Sequence, residues 1–189
     1  SGNNTTASGT YSTAMGSGST ASGNTSFASG NNNTASGIYS IAIGTGTNSS
    51  ARATTAIGNN TTASSQYAVA IGTGTNASGD AAIAMGNNTT ASSNYAVALG
   101  TGTTANGNSA FAIGNSTTAS GNNSTALGNN TTASDFGSVV IGQFNSSGSS
   151  ATSAGSYNSE NTAFVIGNGT GSGNLSDAFK VMFNGDTYI

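Results

Sequence analysis

A glycine recurs every fourteen residues through most of this 189-residue chain: Gly16, Gly30, Gly44, Gly58, Gly72, Gly86, Gly100, Gly114, Gly128 and Gly142. No insertion or deletion breaks the cadence, and Gly2 stands in the same phase. A unit of this length holds neither a helix pair nor a propeller blade. It cannot bury a core alone, so successive units have to stack. Two residues before the glycine stands alanine in nine of the ten units, with Val140 in the tenth. The residue directly before it is apolar everywhere except Ser29. Five residues after it comes Ala or Ser, as in Ala63 and Ser49.

The segment Tyr67-Ala68-Val69-Ala70-Ile71 has the chemistry of a strand. Side chains alternate along a strand, so Val69 and Ile71 share one face and Ala68 and Ala70 the other. Gly72 then permits a tight turn that a Cβ would obstruct. A second short strand around Thr62-Ala63-Ser64 returns, and Ser65, glycine at many equivalent positions, turns again. Two strands and two turns per unit describe one coil of a parallel β-roll, with Gly44, Gly58, Gly72, Gly86, Gly100, Gly114 and Gly128 at its turns. Two arrangements of the strand faces are open. In one, Val69 and Ile71 lie inside the roll opposite Ala63, while Ala70, Ala84, Ala98 and Ala112 let another chain approach closely. The other reverses the faces. The near-constancy of the alanine, against Thr13, Phe27, Thr55 and Phe111 at the Val69 position, favours the first. Either way one thin roll leaves a strand face uncovered, and self-association is expected.

Charged residues make up 4% of the chain, against about 25% in ordinary soluble domains. Two basic residues cannot neutralise a phosphate backbone, so no nucleic-acid partner is expected. The absence of Cys and His removes thiol chemistry, imidazole base catalysis and the usual zinc sites. The acidic residues Asp80, Asp135, Glu160, Asp177 and Asp186 are widely spaced, and 177 to 186 does not match a calcium loop. Neither enzyme activity nor a cofactor or metal is expected. No apolar run approaches the ~20 residues of a membrane span, so any membrane link would come from modules outside this sequence. The chain opens in mid-repeat at Ser1, as a fragment or processed product would.

The units Tyr39-Ser40-Ile41-Ala42-Ile43-Gly44, Ala68-Val69-Ala70-Ile71-Gly72 and Ala96-Val97-Ala98-Leu99-Gly100 resemble the head repeats of trimeric autotransporter adhesins of the YadA type. The resemblance covers residues 1–142. It implies an all-β fold, a left-handed parallel β-roll (solenoid) of 14-residue coils. It also implies three identical chains side by side, display outside the cell, and adhesion. Asp177 through Ile189 looks like the segment that precedes chaperone or stem modules in phage tail fibres, which keeps a virion tail-fibre shaft as an alternative. Whether such rods also join end to end into filaments is left open by the sequence.

Beyond Gly142 the period fails. Residues 143–162 form a Ser/Gly/Asn-rich insertion, Ala163-Phe164-Val165-Ile166-Gly167 returns to the repeat strand, and residues 163–189 are expected to cap the roll, whose raw edge would otherwise invite aggregation. Three sets of repeat residues are candidate sites. Thr47, Thr61, Thr75, Thr89, Thr103, Thr117 and Thr131 would stack into a hydroxyl ladder at ~4.8 Å spacing, able to face a ligand or, in an ice-binding solenoid, ordered water. The bland alternative is that threonine simply suits exposed strands. Asn60, Asn88 and Asn130 lie in Asn-x-Ser/Thr sequons, which mark glycosylation or merely the fitness of Asn for tight turns. Tyr11, Tyr39, Tyr67 and Tyr95 recur at 28-residue intervals, as ligand contacts or as rings sealing an edge or chain contact.

Overall fold

Each fourteen-residue unit folds as one coil containing a five-residue strand and a two-residue strand. In the computed structural model, which describes residues 2–146 and 153–189, the coil from Gly58 to Ile71 is representative. Its short strand is Thr62–Ala63, and Val69–Thr73 is the long strand that leads into the next coil. The described residues contain no helix, and about ten such coils form a parallel β-solenoid. Ser1 and residues 147–152 of the expected 143–162 insertion lie outside the described residues.

The chain divides into two compact units, Ser1–Ala91 and Ser92–Ile189. In the first, long strands from Thr13–Ser17 to Ile83–Asn87 pair in parallel, and short strands from Thr6–Ala7 to Thr90–Ala91 do the same. Register is constant: Val69 pairs with Ile83, Ala70 with Ala84 and Gly72 with Gly86. In the second, Val97–Thr101, Phe111–Asn115, Thr125–Asn129 and Val139–Gln143 repeat the pattern.

The interior is thin. Four positions per coil face inward, represented by Thr61, Ala63, Ala68 and Ala70, each fully buried. Nothing larger than a methyl fits at the Ala70 position until Val140. Val69 and Ile71 point outward and are half-buried. This reverses the favoured arrangement: Ala70, Ala84, Ala98 and Ala112 line the inside of the roll, because at this rank the closely opposed sheets leave room only for methyl-sized groups.

Three backbone positions per coil have positive φ, the repeat glycine and two others near φ 50–65°. One follows the long strand and alternates Asn with Gly: Gly18, Asn32, Gly46, Asn60, Gly74 and Asn88 all have φ between 50° and 65°. The other precedes the inward Ala68 position and is left-handed whatever its side chain, as at Tyr39, Ala53, Tyr67 and Ala81. Gly72 does not sit in the turn itself. It lies within the strand Val69–Thr73 at φ 131°, where a Cβ would strike the carbonyl oxygen of Gly86 in the next coil. Conformation and close approach together demand glycine there.

After Gln143 the coil changes. Thr162–Asn168 joins Val139–Gln143 in parallel with the repeat register kept, Gly142 opposite Gly167. Asp177–Met182 then pairs antiparallel with Thr162–Asn168, and Thr187–Tyr188 pairs antiparallel with Asp177–Met182. Phe164 meets Phe179 edge-on at 6.3 Å, and Tyr157 meets Phe183 at 5.4 Å. The short-strand ladder ends differently. The side chain of Asn145 accepts from the Thr132 amide at 2.7 Å and donates to the Thr132 carbonyl at 3.0 Å. One amide side chain thus stands in for the backbone of a further strand.

Candidate functional site

A coil with this cross-section shows four kinds of surface, and alternation along its strands decides which residues reach them. The threonine ladder is not among them. Thr47, Thr61, Thr75, Thr89, Thr103, Thr117 and Thr131 are at most 1% exposed. They line the interior beside Ala63, so, contrary to expectation, this rank faces neither a ligand nor ice. Some of their hydroxyls are bonded inside: Thr47 donates to Asn33 Oδ1 at 2.8 Å and Thr117 to the Gly128 carbonyl at 2.9 Å. Those of Thr61, Thr75, Thr89 and Thr103 have no hydrogen-bond partner.

The outward face of the short strands carries Thr62 and Ser64 and their equivalents, polar and uncharged. The outward face of the long strands is mainly apolar, interrupted by Thr13, Ser29, Thr55 and Thr125. Ile41, Thr55, Val69 and Ile83 stand in register in one rank, and Ile43, Ile57, Ile71 and Met85 in the next. Val97, Phe111, Thr125 and Val139 with Leu99, Ile113, Leu127 and Ile141 form the same two ranks in the second unit. Met15, Ile41 and Met85 are 37–39% exposed, which is high for apolar side chains on a sheet.

At the turn after the long strand, Asn60, Asn88 and Asn130 are left-handed, at φ 50–51°. Their Nδ2 groups donate to Oδ1 of Asn59, Asn87 and Asn129 at 2.8–2.9 Å. The Oδ1 of Asn60 lies where a Cβ on Gly46 would be, and that of Asn88 does the same over Gly74. This packing accounts for the 28-residue alternation of Asn and Gly. At the opposite turn, Tyr11, Tyr39, Tyr67 and Tyr95 are 54–86% exposed.

Sequence reasoning missed two features. The outward position of Thr62 was legible from alternation, since Ala63 is inside. The left-handed backbone under the tyrosines had no signal, because tyrosine is not a residue that favours that conformation.

A parallel β-solenoid with a thin interior of small side chains and a mainly apolar outer face on its long strands has the architecture of a structural repeat protein. Comparison with known families gives the class its name. The model of the YadA head domain repeat matches residues 1–19, 21–47, 49–75, 77–103, 95–117, 105–131 and 119–145, and the chain belongs to that family. It is an adhesin-type head domain, from a family of structural, non-enzymatic proteins displayed at the cell surface. No curated protein matches the chain.

Proposed function

We propose that this chain is a surface-attachment head that assembles as a homotrimer of left-handed rolls. Its long-strand faces pack against one another, its turns meet the target surface, and residues 163–189 close one end. The observation that carries this reading is the pair of in-register apolar ranks through Val69 and Ile71. Contiguous exposed apolar surface on this scale marks an interaction site. The thin interior supports it too, since methyl groups and hydroxyls bury little apolar area per residue. The low charge fits attachment through hydroxyl and amide groups with little electrostatic steering. We take Asn60, Asn88 and Asn130 as turn formers, because each side-chain amide is already engaged within its own turn.

Sedimentation of the 189-residue chain tests the assembly. Three chains are expected in the particle, and Ile71→Asp is expected to dissociate it while Thr62→Asp, on the opposite sheet, leaves it whole. A folded single chain at micromolar concentration, or equal effects of the two substitutions, would overturn the reading. Adherence of beads coated with the assembled protein to cell or mineral surfaces tests attachment separately.

A further inference from the structure

The tyrosine turn of the first unit carries features that the fold of the single chain does not require. Its backbone is a ladder. The amides of Tyr39, Ala53, Tyr67 and Ala81 donate to the carbonyls of Asn24, Ile38, Arg52 and Gln66, each in the preceding coil, at 2.8–3.0 Å. This fixes adjacent coils at about 4.8 Å, so tyrosines on alternate coils are about 9.6 Å apart. Between them stand Thr25, Ala53 and Ala81, which leave the rings separated by low ground.

Tyrosine occupies this position against backbone preference. The site is left-handed in every coil, φ 61° at Tyr67, and Gly or Asn would adopt it at least cost. Asn123 and Gly137 do so elsewhere. Strained positions filled by costly side chains point to use. Charge points the same way. Residues 1–91 contain two charged side chains, Arg52 and Asp80. Both lie on this turn, one coil to either side of Gln66 and Tyr67, and all four residues are exposed.

We propose that this column is a binding track for a neutral, extended glycan, a reading that rests on the attachment function above and names its ligand class. The apolar faces of sugar rings stack on Tyr39 and Tyr67, whose spacing is close to one disaccharide of an extended chain. Arg52, Gln66 and Asp80 supply donors and acceptors for ring hydroxyls beside them. The two charges cancel, which selects against a polyanion. The flush alanines offer no pocket for a peptide side chain.

Calorimetric titration of the assembled protein with cello- and chito-oligosaccharides, from disaccharide to hexasaccharide, tests this. Affinity is expected to rise steeply once the chain is long enough to bridge two tyrosines. Tyr67→Ala is expected to weaken binding about tenfold and Tyr67→Phe to preserve it, because the ring face makes the contact. The alanine variant is safe for the fold, since Ala53 and Ala81 already hold the same conformation. Arg52→Gln and Asp80→Asn are each expected to weaken binding several-fold without changing the sedimentation of the assembly.

Three results would overturn the proposal: no oligosaccharide bound by protein that still adheres, peptides bound on the column in their place, or dissociation of the assembly by Tyr67→Ala, which would make the rings a seal between chains. Failure of the wild-type protein to adhere to any surface, with oligosaccharide binding intact, would instead overturn the attachment reading and leave the track standing.

Discussion

The repeating coils and the segment after Gln143 solve the same problem, closing a β-structure without a large core, by opposite means. In the coils the inward side chains are small apart from Asn33 and Val140, every pairing is parallel, and register never shifts. Thr162–Asn168 keeps the parallel pairing on one side, but on its other side the pairing turns antiparallel, register shifts on both sides of Phe164–Ile166, and aromatic rings take over the packing. The coils depend on sameness, since each residue rests on its own counterpart and an oversized group is felt by both neighbours. The last strands depend on individual contacts. Asp177 accepts from the amide and the hydroxyl of Ser146, and the fully buried Asp135 accepts from the Thr162 amide at 2.8 Å. Substitutions should therefore be costly in the coils wherever they add volume, and costly beyond them wherever they remove a partner.

The sharpest way to break this contrast is a pair of glycines. Gly72→Ala puts a Cβ against the Gly86 carbonyl in a left-handed backbone and is expected to cost upward of about 3 kcal/mol. Gly185→Ala, at φ 95° with nothing within 4 Å, is expected to cost only about 1 kcal/mol. Urea midpoints at one fixed chain concentration compare them. The core offers a second pair. Ala70→Leu overfills the methyl-wide interior, with a loss of about 3 kcal/mol, whereas Val140→Ala, at the wider end, should lose about 2 kcal/mol. The opposite ranking would mean that the coils can breathe.

A smaller effect is expected from Asn145→Ala. It strips both side-chain bonds from Thr132 and should cost about 1–3 kcal/mol, read as accelerated amide exchange at Thr132 and a lower unfolding midpoint. Smallest is Thr75→Val. Its hydroxyl is buried without a partner, so a change of equal shape is expected to be neutral or to stabilise by up to about 1 kcal/mol. A clear loss of stability in a thermal melt would show that the hydroxyl is used.

Much of the coil was legible in the sequence. The fourteen-residue period yields the stack, and the glycine marks a place where no Cβ fits. The glycine was nonetheless expected at a turn and lies within the long strand, and the other two misplacements have one physical source. Alternation applied to Thr61-Thr62-Ala63 already puts Thr61 on the side of Ala63, yet a regular rank of threonines reads as an exposed ladder. The constant alanine at the Ala70 position fits a close approach between chains as well as it fits a narrow interior. What decides is that Ala63 and Ala68 are small too, while Phe27 and Phe111 at the Val69 position are too large to lie inside. The left-handed tyrosines and the capping amide of Asn145 left no trace in the pattern, because each depends on where the neighbouring coil places its carbonyls.

The seating of Asn60 over Gly46 and of Asn88 over Gly74 has a consequence for how such a molecule changes length. Gaining or losing one coil by recombination would bring two bulky amides, or two bare glycines, face to face. Gaining or losing two preserves the fit. Between Gly18 and Gly102 the heritable increment is therefore the pair, whereas beyond it Ser116, Asn130 and Phe144 follow one another at this turn and the constraint lapses.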